Sequence, residues 1–208
     1  MKRRLFIPDK KILYRGKDLV FTGSNYVDTG IKLWDVAKNF TLLVSYQSYT
    51  SGGYEYYTIF GSEYASNPYP GFMIDMESTR YGGNPVLGRA GGCGNVITPH
   101  STSMKDYKKC IVLKNEGTKR TLFSNDKYPT GVDITPSQFL THQQTVLLGC
   151  AQSTSGVKNR YWNGIIYTCN IYSEALTDQE IIDLMNKEYS NPKRYETRGV
   201  QLHSKAPR

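Results

Sequence analysis

Between residues 19 and 172 the apolar residues recur at every second position, in short runs separated by Gly, Asn and Ser clusters, and that period of two dictates β-structure. Phe40, Leu42, Val44 and Tyr46 alternate with Thr41, Leu43, Ser45 and Gln47, which predicts a strand with one fully apolar face. Cys110–Leu113 and Thr121–Ser124 flank Asn115-Glu116-Gly117, a hairpin signal in which Gly supplies a positive φ. Thr145–Leu148, Ile165–Cys169 and the shorter Phe72–Met76 are further strands. Ser48–Gly53 is expected to be a loop, as is Tyr81–Asn95, whose six glycines make it too irregular for strand interiors. Many short strands with turns between them argue for a sandwich or jelly roll.

Only one helix is expected. Thr177-Asp178-Gln179-Glu180 is a capping box, Leu176 and Ile181 are placed as a hydrophobic staple, and Ile181, Leu184 and Met185 share a face before Asn191-Pro192 closes the run. One short helix after a long β region is a clip on the sandwich rather than a second domain.

Charge divides the chain differently. The net charge is +8, yet residues 1–17 hold seven Lys/Arg against Asp9 and residues 186–208 hold six against Glu188 and Glu196, which leaves the body slightly negative. The expected organisation is a basic arm (1–18), a folded domain (19–189) and a basic tail (190–208). A nucleic-acid-binding domain more often carries its positive charge on the folded body, so nucleic acid is not the expected partner. The ends are either solvated tails or docking arms for an acidic surface, with Lys2, Arg3, Arg4, Lys10, Lys11, Lys193, Arg194 and Arg198 as the docking candidates.

No stretch reaches the roughly 18–20 apolar residues of a membrane helix, so no membrane insertion is expected. The N-terminal Lys and Arg residues lead into Pro8-Asp9-Lys10-Lys11 rather than an apolar segment, so no signal peptide is expected. Cys93, Cys110, Cys150 and Cys169 are widely spaced, without C-x-x-C or a nearby His, and read as free thiols; a disulfide through Cys93 is the alternative.

Two phrases carry a resemblance. Phe21-Thr-Gly-Ser-Asn-Tyr-Val-Asp-Thr-Gly30 resembles the opening of concanavalin A-like (laminin-G/pentraxin-type) jelly-roll domains. Trp162-Asn-Gly-Ile-Ile166, Ile171-Tyr-Ser-Glu-Ala-Leu-Thr177 and Glu180-Ile181 are similar to their closing strand and terminal helix. The resemblance frames about residues 20–190 and implies an all-β, two-sheet antiparallel jelly roll with one C-terminal helix. It also implies a lectin-like role, most like that of bacteriophage surface or tail proteins. In that setting the partners would be other virion proteins, further copies of the chain or a cell-surface glycan.

Chemistry within this frame is sparse. Retaining β-glucanases of the superfamily carry E-I-D-x-E on one strand, with alternating carboxylates as nucleophile and acid/base. Met73-Ile74-Asp75-Met76-Glu77 keeps the later two carboxylates but has Met73 at the nucleophile position, so no hydrolysis is expected and the likeness reads as chance in an edge strand. His100, His142 and His203 are isolated, and neither a G-x-S-x-G elbow nor a phosphate-binding loop is present. No cofactor is expected. Relatives often bind calcium through scattered Asp and Asn oxygens, for which Asp28, Asp75, Asp126 and Asp133 are the candidates here.

Tyrosine is the abundant functional residue: 17, against seven Phe and two Trp. It presents an apolar face and a hydroxyl, which suits wet binding surfaces. Tyr46, Tyr49, Tyr54, Tyr56, Tyr57, Tyr64 and Tyr69 are dense enough to form a sugar-stacking platform, a subunit contact, or simply core and surface.

Overall fold

The computed structural model describes residues 12–33, 39–49, 56–62, 72–77, 86–90, 93–97, 108–124, 131–133, 144–153 and 155–189, in some strands as backbone alone. They form an all-β jelly-roll sandwich with one C-terminal helix. The first sheet, sheet A, contains β1 (Ile12–Thr22), β3 (Asn39–Ser48), β8 (Lys108–Glu116), β9 (Lys119–Ser124), β10 (Gly131–Asp133) and β14 (Asn163–Tyr172), in the order β1-β14-β3-β8-β9-β10. The second, sheet B, contains β2 (Val27–Asp28), β4 (Tyr56–Gly61), β5 (Phe72–Glu77), β6 (Val86–Ala90), β7 (Cys93–Ile97) and β11 (Leu147–Leu148), in the order β2-β11-β4-β5-β6-β7. A small hairpin, β12 (Ala151–Gln152) with β13 (Lys158–Asn159), stands apart from both.

Alternation in the sequence builds the core. From sheet A, Phe40, Leu42, Val44 and Tyr46 of β3 and Ile111 and Leu113 of β8 point inward. They meet Ile59 and Phe60 of β4, Phe72 and Ile74 of β5 and Leu148 of β11. Phe40 and Phe72 lie 5.7 Å apart, centroid to centroid. In β14 the register against β3 shifts between Ile166 and Thr168, so the inward set is Ile166, Cys169 and Ile171 rather than one unbroken alternation. Arg120, fully buried, sets its Nε on Asn115 Oδ1 at 3.0 Å and its guanidinium 5.9 Å from the Phe72 ring.

The expected apolar face of β3 is present, but the opposite face is buried as well. Leu43, Cys110, Val112, Phe123 and Tyr172 form a second core beneath helix α1 (Asp178–Tyr189), which seats Leu176, Ile181, Leu184 and Met185 on them. The capping box forms as the sequence predicts: Glu180 N donates to Thr177 Oγ1 (3.3 Å), and Thr177 N donates to Glu180 Oε2 (2.8 Å). Leu176 N donates to Thr41 Oγ1 at 2.9 Å, Lys114 bridges Glu116 and Asp178, and Thr168 Oγ1 donates to Glu188 Oε2. Burial alone would lower the pKa of Lys114, but the hydrogen bonds and charges of Asp178 and Glu116 outweigh it and the pKa rises. Helix α1 therefore covers the outer face of sheet A and leaves that of sheet B without a helix among the described residues.

Three expectations change. β1 starts at Ile12 and pairs with β14 along its length, so residues 12–18, expected in the basic arm, lie in sheet A. The Gly-rich stretch read as a loop contains β6 and most of β7, antiparallel to each other; ladder pairing holds strands that glycine content argues against. β5 is not an edge strand, since β4 and β6 flank it. The 115–117 signal does make a hairpin, with Glu116 paired to Lys119 and Gly117 at φ 59°, the glycine position of a type II′ turn.

Gly149, just after β11, packs directly against Phe21 of β1. Its φ is 80°, and a Cβ there would lie 2.2 Å from Phe21 Cδ1. Gly149→Ala should therefore destabilise the fold by roughly 3 kcal/mol, combining left-handed strain with overpacking, as read by urea denaturation. A change below about 0.5 kcal/mol, the range of an ordinary surface substitution, would contradict this packing.

Candidate functional site

The strand that carries the opening phrase ends at Thr22, and the chain turns sharply before β2. Asn25 Oδ1 accepts from Thr22 N at 2.7 Å and Asn25 Nδ2 donates to Val20 O at 2.9 Å, which fixes the turn. Val27 packs on the core, so Tyr26 and Asp28, its neighbours on either side, stand on the outer face of sheet B. Tyr26 is 42% exposed.

The facing wall comes from residues more than 120 positions later in the sequence. β2 pairs with β11, and just beyond it the chain leaves the sheet at Gly149 to make the β12–β13 hairpin. Its base is closed by Trp162 N donating to Gly149 O (2.9 Å), with Gly149 N on Ile59 O (2.8 Å) and Thr58 N on Arg160 O (2.9 Å). At the tip Ser153 N donates to Val157 O and Gly156 N to Ser153 O, leaving Val157 strongly exposed. The hairpin is thus a finger clamped to sheet B at its root.

Three side chains meet between turn and finger. The rings of Tyr26 and Tyr161 are 6.4 Å apart and inclined at 50°, an open angle rather than a stack. The Lys158 ammonium lies 5.4 Å from the Tyr26 ring centroid and donates to Gln152 Oε1 across the hairpin. Burial, followed by the charges of Cys150 and Tyr26, raises the Tyr161 phenol above its usual pKa, so it stays a neutral donor. Cys150 beneath is raised to about 12, first by burial and then by Asp28, against the opposing charge of Lys158. Two half-open aromatic faces, an ammonium, an amide and a phenol make a surface suited to a polar ring with hydroxyl substituents.

The residues expected to form a tyrosine platform are distributed differently. Tyr46 is fully buried, edge-on to Trp162 at 6.0 Å, and belongs to the core, so it cannot contact a surface ligand. Tyr57 is partly buried against the same core. Tyr49 is 43% exposed, with its N–H on Asn163 O at 3.0 Å. Of Tyr56 only the backbone is described, and Tyr54, Tyr64 and Tyr69 lie outside the described residues. Sequence density pointed to 46–69, whereas the structure assembles Tyr26 and Tyr161 through strand pairing. The available signal was Tyr26 within the opening phrase and Tyr161 beside Trp162 in the closing one.

The remaining candidates resolve as follows. Asp28 Oδ1 accepts from Gly30 N at 2.9 Å, and no cluster of three His, Cys, Asp or Glu gathers among the described residues. Asp75 and Asp133 are described in backbone only, and Asp126 lies outside the described residues. Asp75 and Glu77 occupy β5 opposite Thr58 and Tyr56 in register. The docking candidates Lys2, Arg3, Arg4, Lys10, Lys11, Lys193, Arg194 and Arg198 also lie outside the described residues. Cys110, Cys150 and Cys169 are buried free thiols, as expected; Cys110 lies in β8, Cys169 in β14 and Cys150 between β11 and β12.

No family model matches the sequence, and no curated protein matches it. Solved structures do match. The CBM40 domain of the Ruminococcus gnavus IT-sialidase, bound to α2,3-sialyllactose, superposes with a TM-score of 0.65 at 15% identity, over 84% of this chain and 98% of that one. The NanB sialidase from Streptococcus pneumoniae (TM-score 0.56, 16% identity) matches over 83% of this chain and 28% of that one. For the leech intramolecular trans-sialidase (TM-score 0.54, 20% identity) the shares are 86% and 28%. At these identities the likeness establishes the fold, a jelly-roll sandwich of the kind found in sialidase carbohydrate-binding domains.

The buried thiols give a test of this packing. Cys110, Cys150 and Cys169 should resist iodoacetamide in the native protein at pH 8 and react fully in guanidinium, as mapped by peptide mass spectrometry. Because the folded state holds the Cys150 proton to about 12 while a thiol in the unfolded chain loses it near 9.0, stability should be intact below pH 9 and fall as pH rises from there. Native labelling of Cys150 at pH 8 would contradict the burial.

Proposed function

We propose that the protein is a non-enzymatic, lectin-like carbohydrate-binding domain whose ligand surface is the Tyr26–Lys158–Tyr161 cluster. The observation that carries this reading is the pair of tyrosine rings, 6.4 Å apart and open to solvent in part, that meet between the turn before β2 and the root of the finger. Likeness in fold to a CBM40 domain bound to sialyllactose supports it, as does Met73 at the glucanase nucleophile position. Sugar rings offer patches of C–H that pack on aromatic faces, while their hydroxyls need donors and acceptors beside those faces. Tyr161, Gln152 and Lys158 supply such groups.

Isothermal titration with α2,3-sialyllactose, α2,6-sialyllactose and lactose tests the reading. Binding of at least one is expected, weakened about tenfold, or roughly 1.4 kcal/mol, by Tyr26→Ala and by Tyr161→Ala. No binding of any of the three, or binding that neither substitution alters, would overturn it.

The setting we propose is the surface of a phage particle, where the domain decorates the virion or contacts host glycans. Support for it comes from the resemblance of the two framing phrases and from the basic ends flanking a near-neutral body. A purely structural virion subunit that docks through those ends is the second reading, and the same charge distribution favours it. Since β1 starts at Ile12, the informative truncation is to 12–189, which spares the sheet. An oligomer that falls to monomer on this trimming, by native mass, supports docking arms; an unchanged state in both forms removes them.

A further inference from the structure

Lys114 and Lys158 are both partly buried, and the protein treats them in opposite ways. Lys114 lies between Glu116 at 3.3 Å and Asp178 at 2.9 Å. Lys158 has no acidic partner among the described residues: its ammonium meets the Gln152 amide oxygen and the Tyr26 ring, both neutral. Asp28 is close enough to act electrostatically on the same Cys150, yet it turns one oxygen to the Gly30 N–H and makes no ion pair with Lys158. An ammonium drawn partly out of water and offered only neutral partners retains most of its capacity for a strong, charge-assisted hydrogen bond. It also sits on the finger, directly beside the aromatic pair.

We propose that Lys158 is the specificity-determining residue of the cluster and that it selects glycans bearing an anionic substituent, a carboxylate or a sulfate ester, over neutral ones. Gln152 is the positioning residue: by accepting from Nζ across the hairpin it fixes the ammonium over Tyr26, with its remaining N–H groups turned to the ligand. This rests on the carbohydrate-binding reading above. The clamped root matters here, because the Trp162–Gly149 and Arg160–Thr58 bonds fix the finger, and with it Lys158, relative to Tyr26.

The test compares three probes that share a lactose core: lactose, 3′-sialyllactose and 3′-sulfated lactose. The parent protein should prefer one or both anionic probes by roughly tenfold or more over lactose, in line with a charge-assisted hydrogen bond, and the preference should shrink as salt rises. Lys158→Met should bring the ratio of anionic to neutral affinity to about one, Lys158→Arg should keep it, and Gln152→Leu should reduce it without change in melting temperature. Preference for only one anionic probe identifies which anion the site takes. Equal affinity of the parent for all three, or a preference that survives Lys158→Met, overturns the assignment and leaves carbohydrate binding standing. Failure to bind any probe overturns both.

Discussion

Trp162 is the residue on which the rest of the structure depends. It is fully buried, 5.5 Å from Phe21 of β1 and 6.0 Å from Tyr46 of β3, with Nε1 donating to Ser48 Oγ at 3.1 Å. Its backbone N–H reaches Gly149 at the edge of sheet B, and its carbonyl accepts from Gly23 in the turn after β1. One side chain thus joins two strands of sheet A, β1 and β3, while its peptide groups join the finger root to the turn that presents Tyr26. Gly164 makes room for it: a Cβ there would sit 2.3 Å from Trp162 Cζ2. Removing an indole from such a site costs on the order of 3–5 kcal/mol by cavity formation alone.

The helix settles which face remains for function. A sandwich has two outer faces, and a chain of this size that covered neither would expose both sets of alternating residues to water. Here β3 and β8 carry apolar residues on both faces, and α1 exists to bury the second set. The cost of ordering a twelve-residue helix is offset by the capping box, by the staple of Leu176 on Ile181, and by the polar ties at each end. Sheet B carries no such cover among the described residues. The finger is instead tied to it at its root, through the bonds of Gly149 to Ile59 and of Thr58 to Arg160 on β4.

Much of this was legible in the sequence, and the exceptions have physical causes. The strand of Phe40–Tyr46, the 115–117 hairpin and the capped helix each rest on local rules of period or capping, and each formed as expected. β1 was foreshortened because Arg15, Lys17 and Asp18 interrupt its alternation; they lie on an edge strand, where charge and the φ of 52° at Asp18 discourage pairing with other chains. β6 and β7 were hidden by glycines. The site was least legible, because Tyr26, Gln152, Lys158 and Tyr161 converge only through pairing of β2 with β11, a contact between distant segments that no local pattern encodes. Tyr46 misled for the opposite reason: it lies in a dense local run of tyrosines, but strand alternation turns it inward.

The central claim is that ligand is met where the finger faces Tyr26. The most direct test is a backbone amide NMR titration of the intact chain with 3′-sialyllactose. The account predicts saturable shifts concentrated at residues 23–28 and 150–161, with the amides of α1 and of the second core under it unmoved. Shifts confined to the helix-covered face, or spread over the sandwich without those two segments, would contradict it.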